Sequence, residues 1–348
     1  MKRRDFLRYL ATAGIGLAGA QFAADLFLPF AEAADIPTFS FAHITDLHLD
    51  VNGDRTWQYR EKSVPLFIDA LRQVGRLPRL RFLLFGGDQV HAGPNDRESL
   101  TVFHRWTSLL DIPHYMLLGN EEVCPIPGVS RLGKEDYLKV WRGRGIRPGS
   151  SSWSFEPASG VLFIGFDVTS DGKSYGLAPP ARLRWLEREL SANRSKKLII
   201  IATHQLLFPS TPLDLTPAWS LWMVRNHAEV RELISRYPNV RLAISGHHHS
   251  ASVIREGGII YVSDPAVVTF PCAFRLFTVT PQGVSLRNIG IDDRSLMTQA
   301  RELLHHDPYA RVYNPSDPES ILQYSMGLSE QDREAVLPFT DDDQGTPS

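Results

Sequence analysis

Five short clusters of carboxylate, amide and imidazole side chains punctuate this chain, and each stands just past the C-terminal end of a segment that reads as a β-strand. They are Asp46-Leu47-His48, Gly86-Gly87-Asp88, Gly119-Asn120-Glu121-Glu122, Thr203-His204-Gln205 and Gly246-His247-His248-His249. In open α/β sheets, ligands bind outside the carboxyl ends of the strands. A chain that loads five such ends with polar chemistry is therefore expected to bring those ends together. The strands that feed the clusters are read at residues 39–44, 81–85, 115–118, 197–203 and 240–245. Between the first three, residues 64–74 and 97–110 carry apolar side chains three and four apart, the helical period, and Ser63 is placed to cap the first helix. This β-α-β-α-β alternation predicts an α/β sheet.

Further along, residues 153–155 and 161–167 read as a hairpin. Pro179-Pro180 opens a helix through Leu190, with Leu183, Leu186 and Leu190 on one face, and residues 219–237 read as another helix. Residues 252–289 are short strands punctuated by Gly257-Gly258 and Gly283, and are read as a second, antiparallel sheet.

The donor types in the clusters point to metal. Glycines beside three of them let the backbone turn tightly and bring side chains inward. Two divalent ions need roughly eight to twelve ligand positions, some filled by water, and a carboxylate between them. Oxygen with imidazole nitrogen suits Mn, Fe, Zn or Ni better than Ca, which takes oxygen. His247 and His249 are two residues apart, so in extended backbone they point the same way while His248 points to the other face. Taken singly the signals are weak: Asp-x-His recurs by chance, Gly-Asp after a strand is usually a turn, and a lone His204 reads most simply as a satisfied core histidine. The five in order, each at a strand end, are what predicts a two-metal site.

In that order the clusters resemble the D-x-H, G-D, G-N-H, H and G-H-x-H motifs of the calcineurin-like metallophosphoesterases. The resemblance spans about residues 37–290, with further similarity at Trp185-Leu186-Glu187-Arg188-Glu189-Leu190. It implies a four-layer α/β/β/α sandwich. It also implies that Asp46, His48 and His249 hold a first metal, that Asn120, His204 and His247 hold a second, and that Asp88 bridges them. The implied reaction is hydrolysis of a small phosphoester by a metal-bound hydroxide, with Asp88, Asn120 and Glu121 at the catalytic centre.

One position departs from the family. A histidine that protonates the leaving group or steadies the phosphate usually follows the Gly-Asn; here it is Glu121. A carboxylate with a reference pKa of ~4.3, placed beside two cations, is expected to be ionised. It would repel a dianionic monoester more than a monoanionic diester, so phosphodiesters are the expected substrates. A catalytically silent phosphate- or metal-binding protein is the alternative. His91 reads either as a solvent-facing loop residue or as a neighbour of the phosphate. Trp57, Tyr59, Arg60, Phe208, Trp219 and Trp222 flank the clusters and could wall a partly apolar pocket, although Trp219 and Trp222 read more simply as packing a helix against a sheet.

The chain divides into an export signal (1–34), a metallophosphoesterase domain (35–291) and a C-terminal extension (292–348). Lys2 to Arg8 are basic, residues 9–24 are apolar and small, and Ala31-Glu32-Ala33 supplies a cleavage site, the anatomy of an export signal. Arg3-Arg4 ahead of Phe6-Leu7 resembles a twin-arginine signal. The expectations that follow are an encounter with the twin-arginine export machinery and a periplasmic or secreted location. The apolar run falls short of the ~20 residues that span a bilayer, so no stable membrane insertion is expected. In the extension, Asp307-Pro308, Asn314-Pro315 and Asp317-Pro318 act as breakers. Residues 322–326 and 329–337 read as short helices, and the end from Asp341 is expected to be disordered. Lys and Arg number 37 against 39 Asp and Glu, for a net charge of -2. That leaves no basic footprint for nucleic acid and argues against a nuclease. Cys124 and Cys272 are too few for a cysteine zinc site, and whether they pair is open.

Overall fold

The computed structural model describes residues 36–147 and 149–339. The expected export signal at 1–34 and the expected disordered end from Asp341 lie outside the described residues. β1 (Phe39–Ile44), β2 (Leu80–Phe85) and β3 (His114–Met116) lie side by side and parallel. Parallel neighbours need a crossover, and α1 (Ser63–Arg76) and α2 (Asp96–Thr107) supply it. A second parallel set runs β5 (Val161–Gly165), β6 (Leu198–Ala202), β7 (Val240–Ser245) and β9 (Ile259–Ser263), with β4 (Trp153–Ala158) and β8 (Ser252–Glu256) antiparallel at its two edges.

β6 shows why the two sheets stack. All five of its residues are buried, as expected for an apolar strand covered on both faces. Leu198, Ile200 and Ala202 enter the core between the sheets, while Ile199 and Ile201 pack under helices through Leu186, Leu190, Val230 and Ile234. Those helices are α5 (Pro180–Ala192) and α6 (His227–Ser235), which follow the short helices α3 (Asn120–Val123) and α4 (Lys134–Val140). Between the sheets, the Phe41 ring stacks on Phe82 and Phe277 at 4.8 Å each and meets Phe163 of the other sheet edge-on at 5.5 Å. On the far side, Phe67 and Phe103 of α1 and α2 stack together at 5.5 Å, and Phe103 meets Phe85 of β2 edge-on at 5.0 Å. The order helix, sheet, sheet, helix is the expected four-layer α/β/β/α sandwich.

Several expectations are corrected. Residues 252–289 do not form a separate antiparallel sheet. β8 and β9 complete the second sheet, while β10 (Ala273–Val279) and β11 (Gly283–Gly290) cross to the first, where β10 pairs antiparallel with β1. Period-two alternation and glycine turns identify strands but not the sheet they join, so both sheets are mixed. Residues 219–237 are not one helix. A 3-10 turn at Ser220–Trp222 gives way to Met223 and Val224, which bridge to Leu206 and Gly176, before α6 begins at His227. Ser63 is the first residue of α1, not its cap; its hydroxyl accepts the Asp50 N–H at 2.9 Å.

The extension contributes α7 (Arg294–His306), α8 (Pro308–Tyr313) and α9 (Ser320–Met326). The Asp307-Pro308 breaker is the junction of α7 and α8: Asp307 accepts the Tyr309 N–H, and proline takes the first helical position. The predicted helix at 329–337 is instead β12 (Glu334–Pro338), paired antiparallel with β11. Ala335 and Leu337 face the core and Val336 faces solvent, a period of two. Among the described residues no helix is long and apolar enough to cross a membrane, and Cys124 and Cys272 are both free.

Candidate metal centre

The five strand ends deliver their side chains to one rim of the sandwich. Asp46, His48, Asp88, His247 and His249 all take left-handed backbone, with φ of 53°, 37°, 51°, 66° and 57°. Each such non-glycine residue is strained by roughly 1–3 kcal/mol. The turns persist because neighbouring backbone holds them: Asp46 N–H donates to Gly87 O at 3.1 Å and His48 N–H to Asp88 O at 2.8 Å. Two glycines are required by close approach. A Cβ on Gly119 would stand 2.1 Å from Asp88 Oδ1, and one on Gly246 would stand 2.6 Å from Asp46 Oδ2.

All seven expected ligands converge. Asp88 Oδ2 lies 3.3 Å from His204 Nε2 and 3.6 Å from His48 Nε2. Asp46 Oδ1 lies 3.4 Å from His249 Nε2, and 3.9 Å from the Nε2 atoms of His48 and His204. Asn120 Oδ1 is 3.3 Å from His204 Nε2. Ligand-capable atoms of Asp46, Asp88, His204 and His247 lie within 4.8 Å of one another, and so do those of Asp46, His48 and His249. Asp46 therefore stands in both groups, where the sequence reading set it in the first alone.

The buried polar atoms test whether metal fits. Asp46 Oδ2 accepts the Thr45 hydroxyl at 2.6 Å and the His247 N–H at 2.8 Å. Asp46 Oδ1 is buried with no hydrogen-bond partner among the described residues, a costly state for a carboxylate unless a cation meets it. The histidines are set to turn lone pairs inward. His204 Nδ1 is bonded to Gly86 O at 2.8 Å, His249 Nδ1 to Thr269 Oγ1 at 2.8 Å and His247 Nε2 to Leu221 O at 3.3 Å. Fixing one ring nitrogen outward presents the other to an ion. Carboxylate, amide oxygen and imidazole together suit borderline divalent metals, and the residues present fit two of them.

Without cations the site balances its own charge. Burial alone would raise the pKa of Asp46, but the imidazoles of His249, His204 and His48 hold its carboxyl well below the usual range. Burial would lower that of His204, but the Asp88 and Asp46 carboxylates push it up to about 10. The proton on the His204 imidazole thus stands where an ion would sit, and loading metal must displace it.

Glu121 sits at the rim. Its carboxylate accepts the Ala92 N–H at 2.7 Å and lies 3.1 Å from His91 Nδ1. Burial opposes its charge, but the His91 and His48 imidazoles and the Ala92 N–H outweigh burial and bring its pKa down to about 2. His91 is therefore engaged with Glu121 rather than being only a solvent-facing loop residue.

Sequence reading missed the supports. Glu122 is fully buried and accepts main-chain N–H groups from Gly119 at 2.7 Å, Gln89 at 2.9 Å, Asp88 at 3.0 Å and Val90 at 3.3 Å. It clamps the Asp88 turn to the Asn120 turn. Burial and the Asp88 carboxylate push Glu122 up to about 8, while four N–H donors favour its ionised form. Gln58, whose amide nitrogen is 3.2 Å from His48 Nε2, and Thr269 were likewise unseen.

Of the flanking aromatics, the Trp57 ring lies 5.2 Å from His249 and the Trp222 ring 5.0 Å from His247, with Trp219 stacked on Trp222. Tyr59 is buried elsewhere on Gln299, Phe208 packs on Tyr261, and Arg60 reaches the site only through Gln58. His248 faces away, as its spacing predicts. It bonds Ser210 and Ser250 through Nδ1 and the Tyr313 hydroxyl through Nε2, tying the extension to the strand end.

Comparison with known proteins agrees with this geometry. A 3',5'-cyclic-nucleotide phosphodiesterase from Nostoc is 27% identical over 232 residues, covering 65% of this chain and 77% of its own. A probable glycerophosphodiester phosphodiesterase from Arcobacter nitrofigilis is 23% identical over 220 residues, covering 63% and 75%. The fold is like that of a dimetal phosphatase from Danio rerio, with a TM-score of 0.55 at 16% identity over 72% of this chain and 96% of that one. The model of the calcineurin-like phosphoesterase family matches residues 39–251. That span opens on β1 and closes just past His249, taking in every strand-end cluster, and this chain belongs to the calcineurin-like phosphoesterase family.

Proposed function

We propose that the protein hydrolyses small phosphodiesters with two divalent ions drawn from Mn, Fe, Zn or Ni. Asp46, His48 and His249 would hold the first ion, and Asn120, His204 and His247 the second. Asp88 would lie between the ions, with Asp46 in reach of both. The observation that carries this reading is the partnerless Asp46 Oδ1, buried among imidazole nitrogens at 3.4–3.9 Å. When bound, the ions supply an acidified water and positive charge for the phosphate oxygens. The chain's own residues do the rest. The Asp88 carboxylate accepts the Glu121 N–H at 2.8 Å through Oδ1, leaving Oδ2 for the centre. Trp57 and Trp222 exclude water beside His249 and His247.

Glu121 sets the substrate charge. Ionised at the rim, it opposes a second negative charge on phosphate, which disfavours monoesters. It cannot act as an ordinary proton donor, which favours good leaving groups. The phosphodiesterase names of the two relatives support the diester choice. With Mn2+, an aryl diester is expected to turn over faster than the matched aryl monoester. Glu121→His should raise the monoester-to-diester ratio by about tenfold, the equivalent of ~1.4 kcal/mol of relieved repulsion, and Glu121→Gln by less. A wild type that prefers the monoester, or loss of every activity in both variants, would falsify the reading.

We also propose export to the periplasm by the twin-arginine machinery, supported by Arg3-Arg4, the apolar run and Ala31-Glu32-Ala33. That route carries folded cargo, which suits a ligand set assembled only by folding. Arg3→Lys combined with Arg4→Lys should hold the precursor in the cytoplasm, read by fractionation. Undiminished export of the double variant would sink the assignment.

A further inference from the structure

Three of the four clustered histidines have the ring nitrogen that faces away from the centre tied to a fixed acceptor: His204 to Gly86 O, His249 to Thr269 Oγ1 and His247 to Leu221 O. His48 is the exception. It is 2% exposed, and its Nε2 faces Asp88, Asp46 and His249. Its Nδ1 is buried with no hydrogen-bond partner among the described residues. An imidazole that gives its Nε2 lone pair to a cation carries its proton on Nδ1. A buried N–H without an acceptor is destabilising.

The acceptor-capable atom that faces this nitrogen is Glu121 Oε1, at 3.9 Å. That distance is an ion-pair contact, too long for a hydrogen bond. The other carboxylate oxygen, Oε2, is held by the Ala92 N–H at 2.7 Å and approached by His91 Nδ1 at 3.1 Å. One oxygen is thus anchored in the loop after Asp88 while its twin is turned toward His48.

We propose that Glu121 is a positioning residue for the first metal position, orienting His48 through Nδ1, and that His91 is the prop that holds Glu121 in place. This rests on the two-ion reading and adds to it a second task for the residue at which the chain departs from its family. A carboxylate behind a metal-binding imidazole fixes the ring's tautomer and orientation and raises its basicity, and removing such a partner typically weakens metal binding 10–100-fold. The first and second positions should therefore respond differently to a change at residue 121.

The test is Mn2+ binding measured by calorimetry without substrate, which separates it from the diester preference. His247→Ala supplies protein that retains the first position, and His249→Ala protein that retains the second. In the His247→Ala background, Glu121→Gln is expected to weaken Mn2+ binding about 10–100-fold, and His91→Ala less but in the same direction. In the His249→Ala background both should change it by under about threefold. Glu121→Gln is isosteric, and matching melting curves of the metal-free proteins check that the fold is kept. Equal weakening in the two backgrounds, or none in either, overturns the proposal. So does a third Mn2+ equivalent in wild type that vanishes in Glu121→Gln, because the cluster of His48, His91 and Glu121 would then be an ion site itself. If both backgrounds fail to bind Mn2+ with Glu121 intact, the two-ion reading falls and takes this proposal with it.

Discussion

Asp88→Asn is expected to lower turnover of an aryl diester by on the order of 10³-fold and to reduce bound metal from two equivalents to one or none. The substitution keeps the shape of the side chain and removes its charge. Asp88 Oδ2 lies between His204 Nε2 and His48 Nε2, while Oδ1 is fixed by the Glu121 N–H at 2.8 Å. In this water-poor site a carboxylate between two cations interacts far more strongly than it would in solvent. The neutral amide forfeits that attraction at both positions, and one of its ends would point N–H groups where lone pairs are needed. Elemental analysis alongside initial rates checks the result. Two retained equivalents would show that the ions do not share Asp88.

Glu122→Ala should destabilise the metal-free protein by at least about 3 kcal/mol. Four buried N–H groups lose their acceptor at roughly 1–3 kcal/mol each, and water entering the vacated space recovers only part. Glu122→Gln keeps a carbonyl oxygen but turns an amide N–H2 toward other donors, so it should fall between. Urea unfolding in chelator reads both. A shift within ~0.5 kcal/mol, the usual range for an inconsequential surface change, would remove Glu122 from the scaffold. Its loss would also release the Asp88 turn from the Asn120 turn, so activity should fall with stability.

The clustered side chains were legible in the sequence because each group follows an apolar run. Leu198-Ile199-Ile200-Ile201-Ala202 can only be a covered strand, and what comes next must emerge at its end. The same logic applied at Ile44, Phe85 and Ser245. Glu122 was given no role because nothing in its own neighbourhood of the sequence separates a carboxylate that holds backbone from the one beside it; that both would be turned inward, one to the rim and one to the backbone beneath it, depends on how two strand ends meet. Gln58 and Thr269 stand ten and twenty residues along the chain from His48 and His249, the histidines they contact. The crossing of β10 to pair with β1 was equally unreadable, because an alternating strand fits any edge with the right twist. The stretch 329–337 was misread for want of length: five residues from Glu334 to Pro338 hold too few repeats to separate a period of two from one of 3.6. The Trp219–Trp222 pair suited a helical face, yet only a 3-10 turn forms there, and Met223 and Val224 just beyond it are drawn out into bridges with Leu206 and Gly176.

The left-handed backbone at Asp46, His48, Asp88, His247 and His249 has a bearing on metal choice. Conformational work is done when the chain folds, so an arriving ion finds its donors already arrayed and forfeits little affinity to ordering them. A receptor stiffened in this way presents one donor arrangement to every arriving ion, so it selects by geometry and does not separate divalent ions that share both radius and geometry. Intrinsic affinities along the first transition series would then rank the competitors. The metal found in the cell would report which ion was plentiful where the chain folded.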